Sequence, residues 1–341
     1  MSDSPLILPD ADFVEKFTEK TPKTRPIVHT SIRVDAHIDL PYYMISHGIE
    51  RSFAQLSDAP FTPEKALATN ARLFCTALYC EDSFNGPGSE SRYQEILDFS
   101  LSHMDTVHVI RDAQDLKGIH EDPDGLFTIL LLENADFLAD DPTENISRLH
   151  QDGIRIVGLT HMAKNRLADG NGVDFADGIS DVGKEVIRLL TESNITIDTA
   201  HLHPKSFWQL MDLIERPLIC SHTGVQEVCK VPRNLALDQI WQIVDRGGIV
   251  GITLNPEMLS TTTKVGVDIV FAHVDTIVQK FGPNVVGIGY DLGGFDRAPA
   301  ELSGPEALIR LEEVMEKHGY DEAAIKAIMG DNWLRFFEQT I

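Results

Sequence analysis

The sequence predicts a (β/α)8 barrel, and three observations predict it. Eight short, β-rich apolar runs recur along the chain, amphipathic helical stretches lie between them, and no low-complexity linker or internal repeat divides them. Continuous apolar strands separated by helices indicate a parallel sheet covered on its outer face. A count of eight points to a closed barrel over an open sheet.

The elements run in order. Residues 1–30 are polar and Pro-punctuated, with a short helix near 13–17, and form an N-terminal arm to a single barrel domain over 31–341. The strand runs are 32–39, 72–79, 127–133, 154–161, 195–201, 217–222, 249–255 and 285–291. Helices are predicted at 181–191, 204–214, 237–246 and 265–281, and two more, at 305–318 and 321–339, close the chain against the barrel. The insertion between the second and third runs is the longest and is a candidate flap over the barrel mouth.

Composition narrows the function classes. With 53 acidic and 29 basic side chains the net charge is −24, a surface that repels phosphate backbones and anionic lipid heads. Nucleic-acid and membrane partners are therefore not expected, whereas hard cations are compatible with carboxylates. The start of the chain lacks a basic region followed by an apolar one, so the expected location is cytoplasmic. Cys75, Cys80, Cys220 and Cys229 form no CxxC pair, and Cys75 and Cys220, inside apolar runs, read as buried hydrophobes.

Ionisable residues end the runs repeatedly. The first ends His37-Ile38-Asp39, the third Glu133, the fourth His161, the fifth His201, the sixth His222 and the eighth Asp291. In a parallel barrel all strand C-termini lie on one rim, where active sites are built. His37 and Asp39, two apart, project to the same side of a strand. Any one of these residues alone reads as a hydrogen-bonded strand end or a helix cap. Six strand ends together point to a metal centre with nitrogen and oxygen ligands, for which zinc fits best and manganese or cobalt next. His203, just before Pro204, belongs to the turn into the next helix. Ser221 has no nucleophile elbow around it and, preceding His222, reads as structural. The glycines at 287, 289 and 293 miss the dinucleotide spacing.

The order His37-x-Asp39, Glu133, Leu159-Thr160-His161, Asp198-x-Ala200-His201, Ser221-His222, Arg233-Asn234, Gly289-x-Asp291 and Asp331-Asn332-x-Leu334-Arg335 resembles the renal (membrane) dipeptidases, binuclear zinc peptidases of the amidohydrolase superfamily. The resemblance covers 31–341. It implies two zinc ions per chain, one on His37 and Asp39, the other on His201 and His222, with Glu133 bridging them. The fourth run ends in Thr160-His161 with Lys164 three residues on, which disfavours a carbamylated lysine as the bridge. His161, Arg233 and Asp291 would bind substrate, with Asp291 and His161 catalytic. The implied reaction is hydrolysis of a dipeptide bearing a free C-terminal carboxylate, by a hydroxide bridging the zinc ions, and a homodimer is implied as well. Two departures stand out: Ile38 replaces the family's usual Asn, and Asp291-Leu292-Gly293-Gly294 replaces its usual Asp-Phe-Asp-Gly. The alternatives are another metal-dependent amidohydrolase, such as an N-acyl-amino-acid deacylase or a lactonase, or a non-catalytic metal-binding barrel.

Overall fold

A computed structural model describes residues 31–262 and 265–341. The arm expected over 1–30, with its helix near 13–17, lies outside the described residues. The strands are β1 (Val34–Ile38), β2 (Leu73–Tyr79), β3 (Val107–Val109), β4 (Leu126–Glu133), β5 (Ile154–Gly158), β6 (Thr196–Asp198), β7 (Ile219–Thr223), β8 (Ile249–Ile252) and β9 (Val286–Ile288). All pairings between them are parallel. β1 joins β2, β2 joins β4, and the order continues through β5 to β9, which returns to β1. That circuit is a closed eight-stranded barrel with helices between its strands.

β3 stands outside the circuit. It pairs only with the first residues of β4, Val107 opposite Leu126 and Val109 opposite Thr128. The insertion over residues 80–125 is thereby corrected from a flap. Its body folds as Ser89–His103, β3 and Ala113–Glu121 toward the end of β4 remote from the mouth. The cause is its apolar content: Ile110, Leu116 and Ile119 bury in the same cluster as Phe127 and Ile129. Only its opening residues reach the mouth.

Two apolar clusters organise the molecule. One draws on six strands around the barrel and is completed by Trp333, Phe336 and Phe337 of the last helix. The other lies largely between strands and helices. Within β4, Phe127, Ile129 and Leu131 belong to the first cluster and Leu126, Leu130 and Leu132 to the second. Glu133 continues the alternation of the first set, which is the period-two geometry of a strand.

The helices follow local rules. Asp181–Glu192 begins where the Ser180 side chain accepts the Gly183 N–H, and it buries Val186, Ile187 and Leu190 on one stripe. The helix expected at 321–339 is broken into Glu322–Lys326, a π-helical turn Ala327–Asp331 and Asn332–Thr340. The extra residue of such a turn resets the helix face. Asn332 Nδ2 then donates to the Pro283 and Val286 carbonyls at 2.7 Å, and Trp333 Nε1 to the Ile288 carbonyl at 3.0 Å. Gly330 permits the approach, since a Cβ there would collide with the Ile32 carbonyl.

Candidate metal centre

Several strands end before the apolar runs that announced them. β5, β6 and β9 end at Gly158, Asp198 and Ile288, so His161, His201 and Asp291 each sit three residues beyond a strand, on the loops of the mouth. His201 and Asp291 adopt left-handed backbone angles, φ +65° and +66°, as does Asn134 after Glu133, at +66°. Non-glycine residues held in this region are uncommon and cluster at functional sites.

The structure brings His37, Asp39, Glu133, His161, His201, His222 and Asp291 together. Three sets have ligand atoms within 4.8 Å of one another: His37 with Glu133 and His222, Glu133 with His161 and His201, and His37 with Asp39 and Asp291. Glu133 divides its oxygens, with Oε1 2.9 Å from His201 Nε2 and Oε2 3.7 Å from His37 Nε2. His37 Nε2 lies 3.2 Å from Asp39 Oδ2, and His201 Nε2 lies 3.1 Å from His222 Nε2. Asp39 precedes the helix Leu40–Ser46, yet its side chain caps nothing. The helix-cap reading therefore does not account for it.

The inner ring nitrogens are held from below. Ser221 Oγ lies 2.8 Å from His222 Nδ1 and 3.4 Å from His37 Nδ1. Asp198 Oδ1 accepts the backbone N–H groups of Ser221 and Ala200 at 2.8 and 3.0 Å, fixing the ends of β7 and β6 together. Such outer contacts orient ligand rings and set their tautomers. His203 sits apart, where Nδ1 accepts the Lys205 N–H at the start of Pro204–Leu213.

The site is electrostatically crowded. Burial would lower the His37 pKa, but the carboxylates of Asp39 and Glu133 outweigh it and push the ring up to about 10. His201 and His222 are driven well below the usual value by burial, and next by Arg233 and His37 respectively. Asp291 is raised well above the usual value by burial and by the neighbouring Asp39. Among the described residues, His37 Nε2, Asp39 Oδ1 and His201 Nδ1 are buried without a hydrogen-bond partner. Buried polar atoms are seldom left so. Imidazoles and carboxylates converging on one point are a donor set for a divalent cation, which would take the place of the His37 proton, so the residues present fit a metal.

Above the centre lies a cavity of about 800 Å³, lined among others by Tyr79, Glu133, His161, His201, Arg233 and Asp291. Arg233 Nη2 donates to the His222 carbonyl at 3.0 Å, and its Nε is buried and unpartnered. Gly293, one of the departing positions, has φ +92° and packs close to the Asp39 backbone, a conformation that suits glycine. Sequence reasoning missed three residues of this mouth, among them Tyr79, whose Oη lies 3.2 Å from His161 Nδ1. Asn255 Nδ2 donates to Asp291 Oδ2 at 3.2 Å, and its only signal was its place at the end of the seventh run. Asp82, 2.8 Å from His161 Nδ1, had no signal at all.

Residues 21–341 match the family model described as membrane dipeptidase, peptidase family M19. The chain belongs to the membrane dipeptidase family. It is accordingly a metal-dependent dipeptidase, and a deacylase or lactonase is not favoured. Dipeptidase 3 of Mus musculus is 28% identical over 162 residues, 48% of this chain and 33% of that protein. An uncharacterized protein of the pqqA 5′ region in Klebsiella pneumoniae is 28% identical over 193 residues, 54% of this chain and 71% of its own. Among solved structures, a metallopeptidase from Rhodobacter sphaeroides bound to a phosphinate mimic of the dipeptide L-Ala-D-Ala has the same fold. Its TM-score is 0.81 at 20% identity, over 92% of this chain and 100% of that one. Among the described residues of this family member, no helix is long and apolar enough to cross a membrane.

Proposed function

We propose that this dipeptidase holds two zinc ions, one on His37 and Asp39, the other on His201 and His222, with Glu133 between them. The observation that carries the reading is the division of the Glu133 carboxylate, one oxygen facing His201 and the other facing His37. When bound, such ions lower the pKa of water toward about 7, so that a nucleophile for the peptide carbonyl exists at neutral pH.

The chain's own residues supply the rest. Asp291, in the cavity lining, takes a proton from the attacking water through its carboxylate and returns it to the leaving amine nitrogen. The Asn255 amide holds one Asp291 oxygen, leaving the other to move the proton. His161, on the cavity wall, polarises the scissile carbonyl and stabilises the oxyanion, a contribution of about 3 kcal/mol. Arg233 receives the C-terminal carboxylate of the substrate. No ion pair occupies it among the described residues, and its unpartnered Nε is what a carboxylate would satisfy.

The substrate is thus a dipeptide with a free C-terminus. A panel of L-L and L-D dipeptides, alongside their C-terminal amides, tests this. Free acids should be cleaved, and the amides slowed by about 10²-fold or more, as expected for loss of a charge-assisted bidentate contact. Equal rates on acids and amides would remove Arg233 from the role given to it.

A further inference from the structure

His161 is gripped from outside its own loop. Its Nδ1 lies 2.8 Å from Asp82 Oδ2 and 3.2 Å from Tyr79 Oη. The same Asp82 oxygen accepts the Ala163 N–H at 3.2 Å, so one carboxylate ties down both the ring and the backbone two residues on. The ring is flanked by Tyr79, with centroids 4.7 Å apart, and by His201 at 4.4 Å. Asp82 Oδ1 is buried without a partner. No capping or helix-forming duty explains an acid in this place: it opens a short 3-10 turn, Asp82–Phe84, after β2.

We propose that Asp82 is a positioning residue for His161, accepting Nδ1–H and so presenting Nε2 to the carbonyl of the substrate. The inference rests on the carbonyl-polarising role given to His161 above. Carboxylates that bind the far nitrogen of a functional imidazole fix its tautomer and its orientation, and their removal typically costs about 10–100-fold. With Nδ1 held by Asp82, Nε2 is the ring nitrogen left to face the carbonyl oxygen. Burial raises the Asp82 carboxyl, but the His161 contact and the Ala163 and Met162 N–H groups hold it below its usual value. It is therefore an anion at neutral pH.

A double-mutant cycle on the metal-loaded enzyme separates positioning from general support. The variants are Asp82→Ala, Asp82→Asn, His161→Ala and Asp82→Ala combined with His161→Ala, each measured for kcat, KM and zinc per chain on one dipeptide. Asp82→Ala should lower kcat about 10–100-fold with KM within about twofold and zinc content unchanged. Asp82→Asn, which keeps an acceptor oxygen, should recover part of the loss. The double variant should be no slower than His161→Ala, because Asp82 acts only through that ring. If His161→Ala is slow while Asp82→Ala is not, or if the two losses multiply in the double variant, the inference fails and the role of His161 stands. Loss of zinc in step with activity in Asp82→Ala would likewise reduce Asp82 to a structural residue. Full-rate hydrolysis by His161→Ala would overturn the carbonyl role itself, and the inference with it.

Discussion

Asp291 pairs an uncommon backbone conformation with a carboxyl that burial and Asp39 keep protonated more readily than usual. A carboxyl with that bias is suited to returning a proton as well as taking one. Asp291→Ala should lower kcat by about 10²–10⁴-fold, the range of general acid–base contributions, while retaining the metal proposed to sit on His37, Asp39, Glu133, His201 and His222. Metal analysis beside turnover checks this, and full activity in a zinc-loaded Asp291→Ala enzyme would contradict it. At this scale the sequence was informative where chemistry follows local geometry. The two-residue spacing of His37 and Asp39 aims both side chains by strand periodicity alone. Asp82 and Tyr79 escaped notice because their contacts with His161 span 79 and 82 residues, and no local pattern records such a meeting.

At the scale of elements, the loops that carry the cavity wall are stapled together. His273, on the helix Val267–Phe281, accepts the Val225 N–H at Nδ1 (2.8 Å) and donates from Nε2 to the Leu259 carbonyl (3.0 Å). Asn234 accepts the Gly224 N–H and donates to the Cys229 and Met258 carbonyls. Together they join the loop bearing Arg233 to the loop bearing Asn255. Burial pushes the His273 pKa down to about 4 from its ordinary 6.5. Above pH 6.5 the ring is neutral in both folded and unfolded chains. Between 6.5 and 4 only the unfolded chain takes up the proton, so stability falls as pH drops through that window. Between pH 7 and 4.5, wild type should lose about 2–3 kcal/mol more than His273→Gln in urea unfolding, and any zinc lost at low pH is common to both. Equal losses would contradict the assignment.

Strand identity was readable at this scale because each barrel strand is a continuous apolar run, but strand ends were not. The runs continue three residues past the last ladder bond at β5, β6, β8 and β9, since residues buried around the mouth look apolar whether or not they pair. The insertion after β2 was misplaced for a related reason. Length alone suggested a flap, and the pairing of β3 with the start of β4 is a long-range choice made by burial.

For the whole molecule, the barrel gathers residues from six strand ends into one centre and leaves most of the −24 charge on the outer surface. That field should slow acidic substrates on approach. At low salt, kcat/KM for Asp- or Glu-containing dipeptides should fall below that for neutral ones, and the gap should close as ionic strength rises. Equal values at low salt would show that the mouth is insulated from the surface charge. The barrel was legible in the sequence because its apolar strand runs are written locally eight times, with helical stretches between them. Closure through β9 and β1, and the sealing of the barrel by Trp333, emerge only when distant segments meet.

The central claim, that Glu133 joins two metal ions into one catalytic centre, is tested most directly by titrating zinc into chelator-stripped protein while following hydrolysis of one dipeptide. Activity should rise from near zero and reach its plateau at two equivalents per chain. A plateau at one equivalent, or full activity in the stripped protein, would contradict the account.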